Sequence, residues 1–131
     1  MIHYTVDESD LMAADFLSLA IQVWPGSYDI QKTAEALRRT INITARADGL
    51  LVGCLRVLTD GCYFGTITEL LVLPAFQGQG IGSQLLRLAK EYTPTILYFG
   101  AQPGVEPFYE KNGCRKGMQA YTIDAGKSTR P

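Results

Sequence analysis

His3 is the only histidine in 131 residues, and no Cys-x-x-Cys pair accompanies it. Neither a multi-histidine metal site nor a histidine-based catalytic dyad is expected. The cysteines, Cys54, Cys62 and Cys114, are odd in number, so no disulfide framework or zinc site is indicated. They read as reduced thiols that behave as small buried hydrophobes. No apolar run approaches the roughly 18 residues of a membrane-spanning helix. The opening residues 1–7 also lack the charged and apolar regions of a signal peptide. The expectation is a cytoplasmic protein with no membrane partner. Twelve basic residues against thirteen acidic ones leave a net charge of −1 and no basic run. A nucleic-acid partner therefore has no electrostatic footprint.

What is present is ordinary for a globular protein: 47% apolar and 19% charged residues, without repeats, low-complexity tracts or a linker. Residues 1–131 read as one domain, long enough to bury roughly two-thirds of its unfolded surface, with about 125–131 a frayed tail. The elements follow from periodicity. Residues 2–6 form a short strand, and Ser9-Asp10 offers a cap for a helix whose stripe is Met12, Phe16, Leu19, Ala20 and Val23. Trp24-Pro25-Gly26 breaks that helix, and Asp29 caps a second one carrying Ile30, Ala34, Leu37 and Ile41. Residues 41–47 and 50–58 alternate as a hairpin about Asp48-Gly49. Thr66–Leu73 is the most apolar strand, as expected near the centre of a sheet. An amphipathic helix runs to Tyr92 and a β-branched and aromatic strand spans Thr95–Phe99, so 66–99 reads as a right-handed βαβ unit. A short helix after Pro103-Gly104 ends at Asn112-Gly113, and Cys114–Asp124 returns as a final strand or tight strand pair. The layout is β-α-α-β-β-β-α-β-α-β, an α/β sheet of mixed direction.

The most informative stretch joins the apolar strand to its helix: Pro74-Ala-Phe-Gln77-Gly78-Gln79-Gly80-Ile81-Gly82-Ser83. Three alternating glycines allow close backbone approach. A helix beginning there presents unpaired N–H groups and the positive end of its dipole, which suits phosphate. The dinucleotide pattern fails because Ser83 stands where its third glycine belongs. The P-loop pattern fails because no Gly-Lys-Ser/Thr follows.

Gln77-Gly78-Gln79-Gly80-Ile81-Gly82 fits Gln/Arg-x-x-Gly-x-Gly/Ala and resembles the coenzyme-A-binding signature of the GNAT N-acetyltransferase superfamily. Pro107-Phe108-Tyr109-Glu110-Lys111-Asn112-Gly113-Cys114 is similar to that family's F-Y-x-K-x-G-F helix and turn, with Cys114 in place of the usual Phe. The element order from residue 2 to about 124 matches as well. Trp24, Tyr28 and the strand Leu51-Val-Gly-Cys-Leu-Arg-Val57 also look like those of small bacterial members.

The resemblance implies a single-domain GNAT-like fold: a mostly antiparallel sheet with a parallel βαβ at the cofactor site and about four helices. It implies acetyl-CoA as co-substrate, no metal, and a pyrophosphate held by the backbone of Gln77, Gly78, Gln79, Gly80, Ile81, Gly82 and Ser83. The adjoining strand would be splayed from its parallel neighbour at a bulge. There Leu71 N–H would polarise the thioester carbonyl, and Val72 or Leu73 would bind the pantetheine arm. Tyr109 matches the family's proton donor to the leaving thiolate. Family members place Asn after the strand at 95–99, where this chain has Ala101 and Gln102. Glu69 shares strand parity with Ile67, Leu71 and Leu73, so it points among apolar side chains, a setting that suits a general base or an ammonium-binding carboxylate. The bland alternative pairs it with Arg56 on the neighbouring strand or leaves it exposed at the rim. Trp24, Tyr28, Tyr63 and Phe64 could line an acceptor pocket between the early helices and the sheet, suited to a small aromatic or hydrophobic amine.

The expected function is N-acetylation of a small-molecule primary amine by direct attack on the thioester. A non-catalytic acyl-CoA sensor and a protein N-terminal or lysine acetyltransferase are the alternatives. The family admits a homodimer, which no residue here decides.

Overall fold

The computed structural model describes residues 1–124 and 126, and the tail expected at about 125–131 lies outside them apart from Gly126. Five strands, β1 (Ile2–Thr5), β2 (Ile41–Ala47), β3 (Leu50–Thr59), β4 (Gly65–Val72) and β5 (Leu97–Tyr98), form one sheet in sequence order. The helices are α1 (Ala13–Val23), α2 (Ile30–Arg38), α3 (Ile81–Tyr92) and α4 (Glu106–Lys111). All neighbouring strands are antiparallel except β4 and β5, which are parallel. This is the expected mixed α/β fold. No helix among the described residues is long and apolar enough to cross a membrane.

Local chemistry explains most boundaries. Asp48 and Gly49 both take positive φ (49° and 86°), the geometry of the tight hairpin turn that joins β2 to β3. The Asp29 carboxylate accepts the Lys32 N–H and caps α2. α1 departs from expectation by starting at Ala13, with no side-chain cap. The preceding residues are held in a turn instead, where Leu11 N–H donates to the Glu8 carbonyl and Glu8 N–H donates to the Asn42 carbonyl. Glu8 also accepts from Thr44 Oγ1 at 2.7 Å and from Arg46 Nε at 3.0 Å, and Arg46 Nη2 is 2.6 Å away.

That contact sets a pH dependence. Arg46 holds the Glu8 carboxyl below its ordinary range. Its stabilising effect is therefore present above the unfolded value near 4.5 and lost as pH falls through the lower folded value. Glu8→Gln should lower unfolding free energy at pH 7 by about 1–3 kcal/mol. In urea titrations the gap from wild type should narrow as pH falls below about 4.5. A gap that is the same at pH 3 and pH 7 would contradict this.

The core lies on both sides of β3. Phe16 of α1 packs beneath the Arg56 guanidinium on one face, with the ring centroid 5.4 Å away. Ile81 and Leu85 of α3 cover Gly53 on the other, so closely that a Cβ there would lie 3.1 Å from each. Cys54 is fully buried, and burial followed by the nearby Glu69 charge pushes its thiol up, keeping it inert. Cys62 departs from the expectation of a buried thiol: it is exposed in the β3–β4 turn.

The expected final strand at Cys114–Asp124 is absent, and those described residues have no strand or helix. Met118, Tyr121 and Ile123 are 68%, 89% and 91% exposed, so the apolar side chains of this segment form no buried face. β5, only two residues long, offers little edge for a sixth strand.

Candidate functional site

β5 pairs with β4 only at Gly65↔Leu97 and Thr66↔Tyr98, and beyond Thr66 the two segments part. The cause sits two residues further on. In β4 the partners of Val57 and Arg56 are Ile67 and Glu69, so Thr68 is an extra residue, a β-bulge. The bulge opens a cavity of about 630 Å³ bounded by β4, the glycine loop, the segment after β5 and α4. Glu69, Trp24, Gly82 and Tyr109 all line it.

The bulge also changes which way side chains point. Directly opposed residues of an antiparallel pair share a face. Arg56 and Val57 are consecutive and face opposite ways, so their partners Glu69 and Ile67 do too. The simple parity that grouped Glu69 with Ile67 is therefore broken. Glu69 and Leu71 lie on the α1 face, while Ile67, Leu70 and Val72 lie on the α3 face. The cavity takes Trp24 and Glu69 from one face and Val72 and Gly82 from the other, so it passes through the sheet.

Glu69 is buried and ion-paired with Arg56, which is buried as well. Arg56 Nε and Nη2 bond separate carboxylate oxygens, the latter at 3.0 Å. This is the paired arrangement weighed against a lone carboxylate among apolar neighbours.

Backbone parity turns the Leu71 N–H, expected at the thioester, away from the gap. Leu73 N–H donates to the Val52 carbonyl at 2.8 Å. By the alternation of an antiparallel ladder, Leu71 N–H also turns toward β3, opposite Cys54. Leu71 and Leu73 are thus core residues whose N–H groups face β3. The backbone of Leu70 and Val72 faces the gap, and the Val72 carbonyl accepts Gln77 Nε2 at 3.0 Å. Leu70 was not singled out by sequence. The one available signal was the break in alternation at Thr68-Glu69-Leu70-Leu71, with two polar residues followed by two apolar ones.

The glycine loop lies where expected. Gly78 and Gly80 have φ of +79° and +86°, and Gly80 is the N-cap of α3 without any side-chain cap. The first bond of the helix runs from Gln84 N–H to the Gly80 carbonyl. The N–H groups of Ile81, Gly82 and Ser83 thus have no helical partner and stand at the positive end of a twelve-residue helix. A Cβ on Gly82 would lie 3.2 Å from Phe108 Cζ, so glycine lets α4 close on the loop. Gln77, Gly78, Gly80, Ile81, Gly82 and Ser83 border the cavity; Gln79 does not. Gly80→Ala forces a left-handed backbone on a residue with a Cβ, at about 1–2 kcal/mol. Thermal unfolding should show that loss. Gly117→Ala, with open space and no positive φ, should leave the midpoint unchanged. Equal midpoints for both variants would contradict the strain assigned to Gly80.

Tyr109 is half-buried, with Phe99 at 5.0 Å and Phe108 at 5.1 Å between ring centroids. Burial, with Cys114 adding to it, pushes the phenol up, so it stays protonated. The aromatics expected at an acceptor pocket separate into two groups. Trp24 lines the cavity and packs on the core, and Tyr28 donates its hydroxyl to the Trp24 carbonyl, supporting that loop from behind. Tyr63 and Phe64 do not reach the cavity. The Asp60 carboxylate accepts the N–H groups of Cys62, Tyr63 and Phe64, which fixes them in the turn before β4. Tyr63 is 89% exposed there, and Phe64 stacks on Tyr98 at 5.6 Å. Among the described residues no group of three His, Cys, Asp or Glu gathers as a metal site.

The family model for the acetyltransferase (GNAT) domain matches residues 39–115, more than half of the chain. The uncharacterized N-acetyltransferase ycf52 of Pyropia yezoensis is 32% identical over 71 residues, 51% of this chain and 41% of that protein. The chain spans under half the length of the curated relatives it matches. Among solved structures, a GNAT-family acetyltransferase of Streptococcus pneumoniae TIGR4 superposes with a TM-score of 0.72 at 25% identity, covering 93% of this chain and 98% of that one. The aminoglycoside N-acetyltransferase AAC(6')-Iy, solved in complex with CoA, superposes with a TM-score of 0.71 over 94% of this chain and 95% of that one. At 17% identity that likeness is one of fold.

Proposed function

Because the chain belongs to the GNAT acetyltransferase family, we propose that it is an acetyl-CoA-dependent N-acetyltransferase acting on the primary amine of a small molecule. The observation that carries this is the gap through the sheet beyond Thr66, with open N–H groups at one end and Tyr109 on its wall.

The residues present fit the donor. The open N–H groups of Ile81, Gly82 and Ser83 suit a diphosphate, each charge–dipole contact contributing about 0.3–1 kcal/mol. Val72, nearer the glycine loop, presents an N–H to the pantetheine arm. Leu70, nearer the bulge, presents N–H and C=O where the thioester would lie. A fixed N–H there stabilises charge that develops on the carbonyl oxygen. Acetyl-CoA supplies an activated acetyl group, so no acyl-enzyme is needed. The amine nitrogen forms its bond to the carbonyl carbon, the C–S bond breaks, and the sulfur takes a proton from Tyr109.

The acceptor approaches from the α1 face, past Trp24 and Glu69. An alkylammonium of pKa about 10.4 is neutral in roughly one part in a few thousand at pH 7, a handicap of about 4–5 kcal/mol. Glu69, oriented by Arg56, keeps lone pairs for the acceptor nitrogen and takes its proton directly or through water. Glu69→Gln should lower kcat/KM for the amine by about 10²–10⁴-fold with acetyl-CoA affinity retained, and an unchanged rate would remove Glu69 from proton transfer.

One aromatic residue and one carboxylate at the cavity favour a compact amine. The test is thiol release from acetyl-CoA across arylalkylamines, polyamines and peptides. Fastest turnover with a small amine supports the reading. Fastest turnover with peptides points instead to protein acetylation, and CoA binding with no turnover to a sensor.

A further inference from the structure

A second groove, of about 650 Å³, adjoins the cavity and shares Gly80, Ser83 and Lys111 with it. It runs along α3 toward the end of α4. Its charged lining is of one sign: Arg87, Lys90 and Lys111, with no aspartate or glutamate. Arg87 is engaged by Glu91 at 2.5 Å. Lys90 and Lys111 have no ion-pair partner among the described residues. Both are exposed, and Lys90 is near enough to Cys114 to act on its thiol.

The placement along α3 is regular. Ser83, Arg87 and Lys90 are spaced four and three residues apart, so they share one helix face. At 1.5 Å per residue, Lys90 stands about 10 Å beyond Ser83 along the axis. The open N–H groups of the first turn thus hold one anionic site, and the two lysines mark another further along the same helix and across on α4. Ile96, Leu97 and Phe99 give the groove an apolar wall.

We propose that this groove is a phosphate-monoester subsite for the nucleotide end of the donor, in which Lys90 and Lys111 recognise the 3′-phosphate that distinguishes CoA from dephospho-CoA. The inference rests on the donor assignment above and adds a specificity to it. The two lysines converge from different helices on a dianion, so each strengthens an interaction that neither helix supplies alone. The contact is solvent-exposed and therefore salt-sensitive.

The test is calorimetric titration of the protein with CoA and with dephospho-CoA, at low and at high salt, for wild type and for Lys90→Gln/Lys111→Gln. Wild type should bind CoA on the order of tenfold more tightly than dephospho-CoA at low salt. That preference should shrink at high salt. The double variant should lose the preference, binding CoA and dephospho-CoA with equal affinity. Equal affinity of wild type for both ligands, or a preference that survives the double substitution, would overturn the subsite and leave the donor assignment standing. Failure of wild type to bind either ligand would overturn both.

Discussion

Arg56→Met is expected to cost the fold about 3–5 kcal/mol. Arg56 and Glu69 are buried together between β3 and β4, and removing the guanidinium leaves a buried carboxylate without its ion-pair partner. The loss should be largely specific to the orphaned charge. Arg56→Met/Glu69→Leu replaces the pair with apolar groups of similar size and should recover most of the stability, since buried pairs are often neutral against hydrophobic replacements. It should also abolish turnover if Glu69 handles the acceptor proton. Urea unfolding of the single and double variants measures the first effect, and thiol release the second. A loss below about 1 kcal/mol in Arg56→Met would mean that the pair is as solvent-screened as a surface salt bridge.

Tyr109→Phe is expected to lower kcat by about 10²–10⁴-fold, the usual range for a positioned proton donor, with acetyl-CoA affinity retained. Phe keeps the ring contacts to Phe99 and Phe108 and removes only the hydroxyl. Because burial raises the phenol above its ordinary 10.0, it stays a donor through neutral pH, and its ionisation would bring a fall in rate only above about pH 10. That basic limb should be missing in the variant. A fall in acetyl-CoA binding that matches the fall in kcat would make Tyr109 a binding residue instead.

The fold and the glycine loop were legible because their signals are local. Three alternating glycines after an apolar strand, Asp48-Gly49 between two alternating runs, and Asp29 before an amphipathic helix each act through their own backbone. The gap beside β4 was less legible because it depends on one inserted residue. Thr68 breaks the period on which the Glu69 and Leu71 readings relied, turning Ile67 and Glu69 to opposite faces. The Leu71 reading placed a thioester contact one residue from Leu70, whose backbone faces the gap. Tyr63 and Phe64 were drawn toward the pocket by residue type alone. The Asp60 turn that holds them outward is a local one, in which the carboxylate accepts three N–H groups within four residues, and composition does not reveal which way the rings then point. The strand expected at Cys114–Asp124 has no partner, since β5 is too short to supply one.

The central claim is that the gap between β4 and β5 brings an acetyl donor and an amine together beside Tyr109. Its most direct test is to incubate the protein with acetyl-CoA in the presence and absence of the best amine of the panel, following free thiol and the mass of the amine together. The account predicts amine-dependent thiol release matched mole for mole by an N-acetylated product, with no acetyl group retained on the protein. Tight acetyl-CoA binding with no acetylated product from any amine would contradict it.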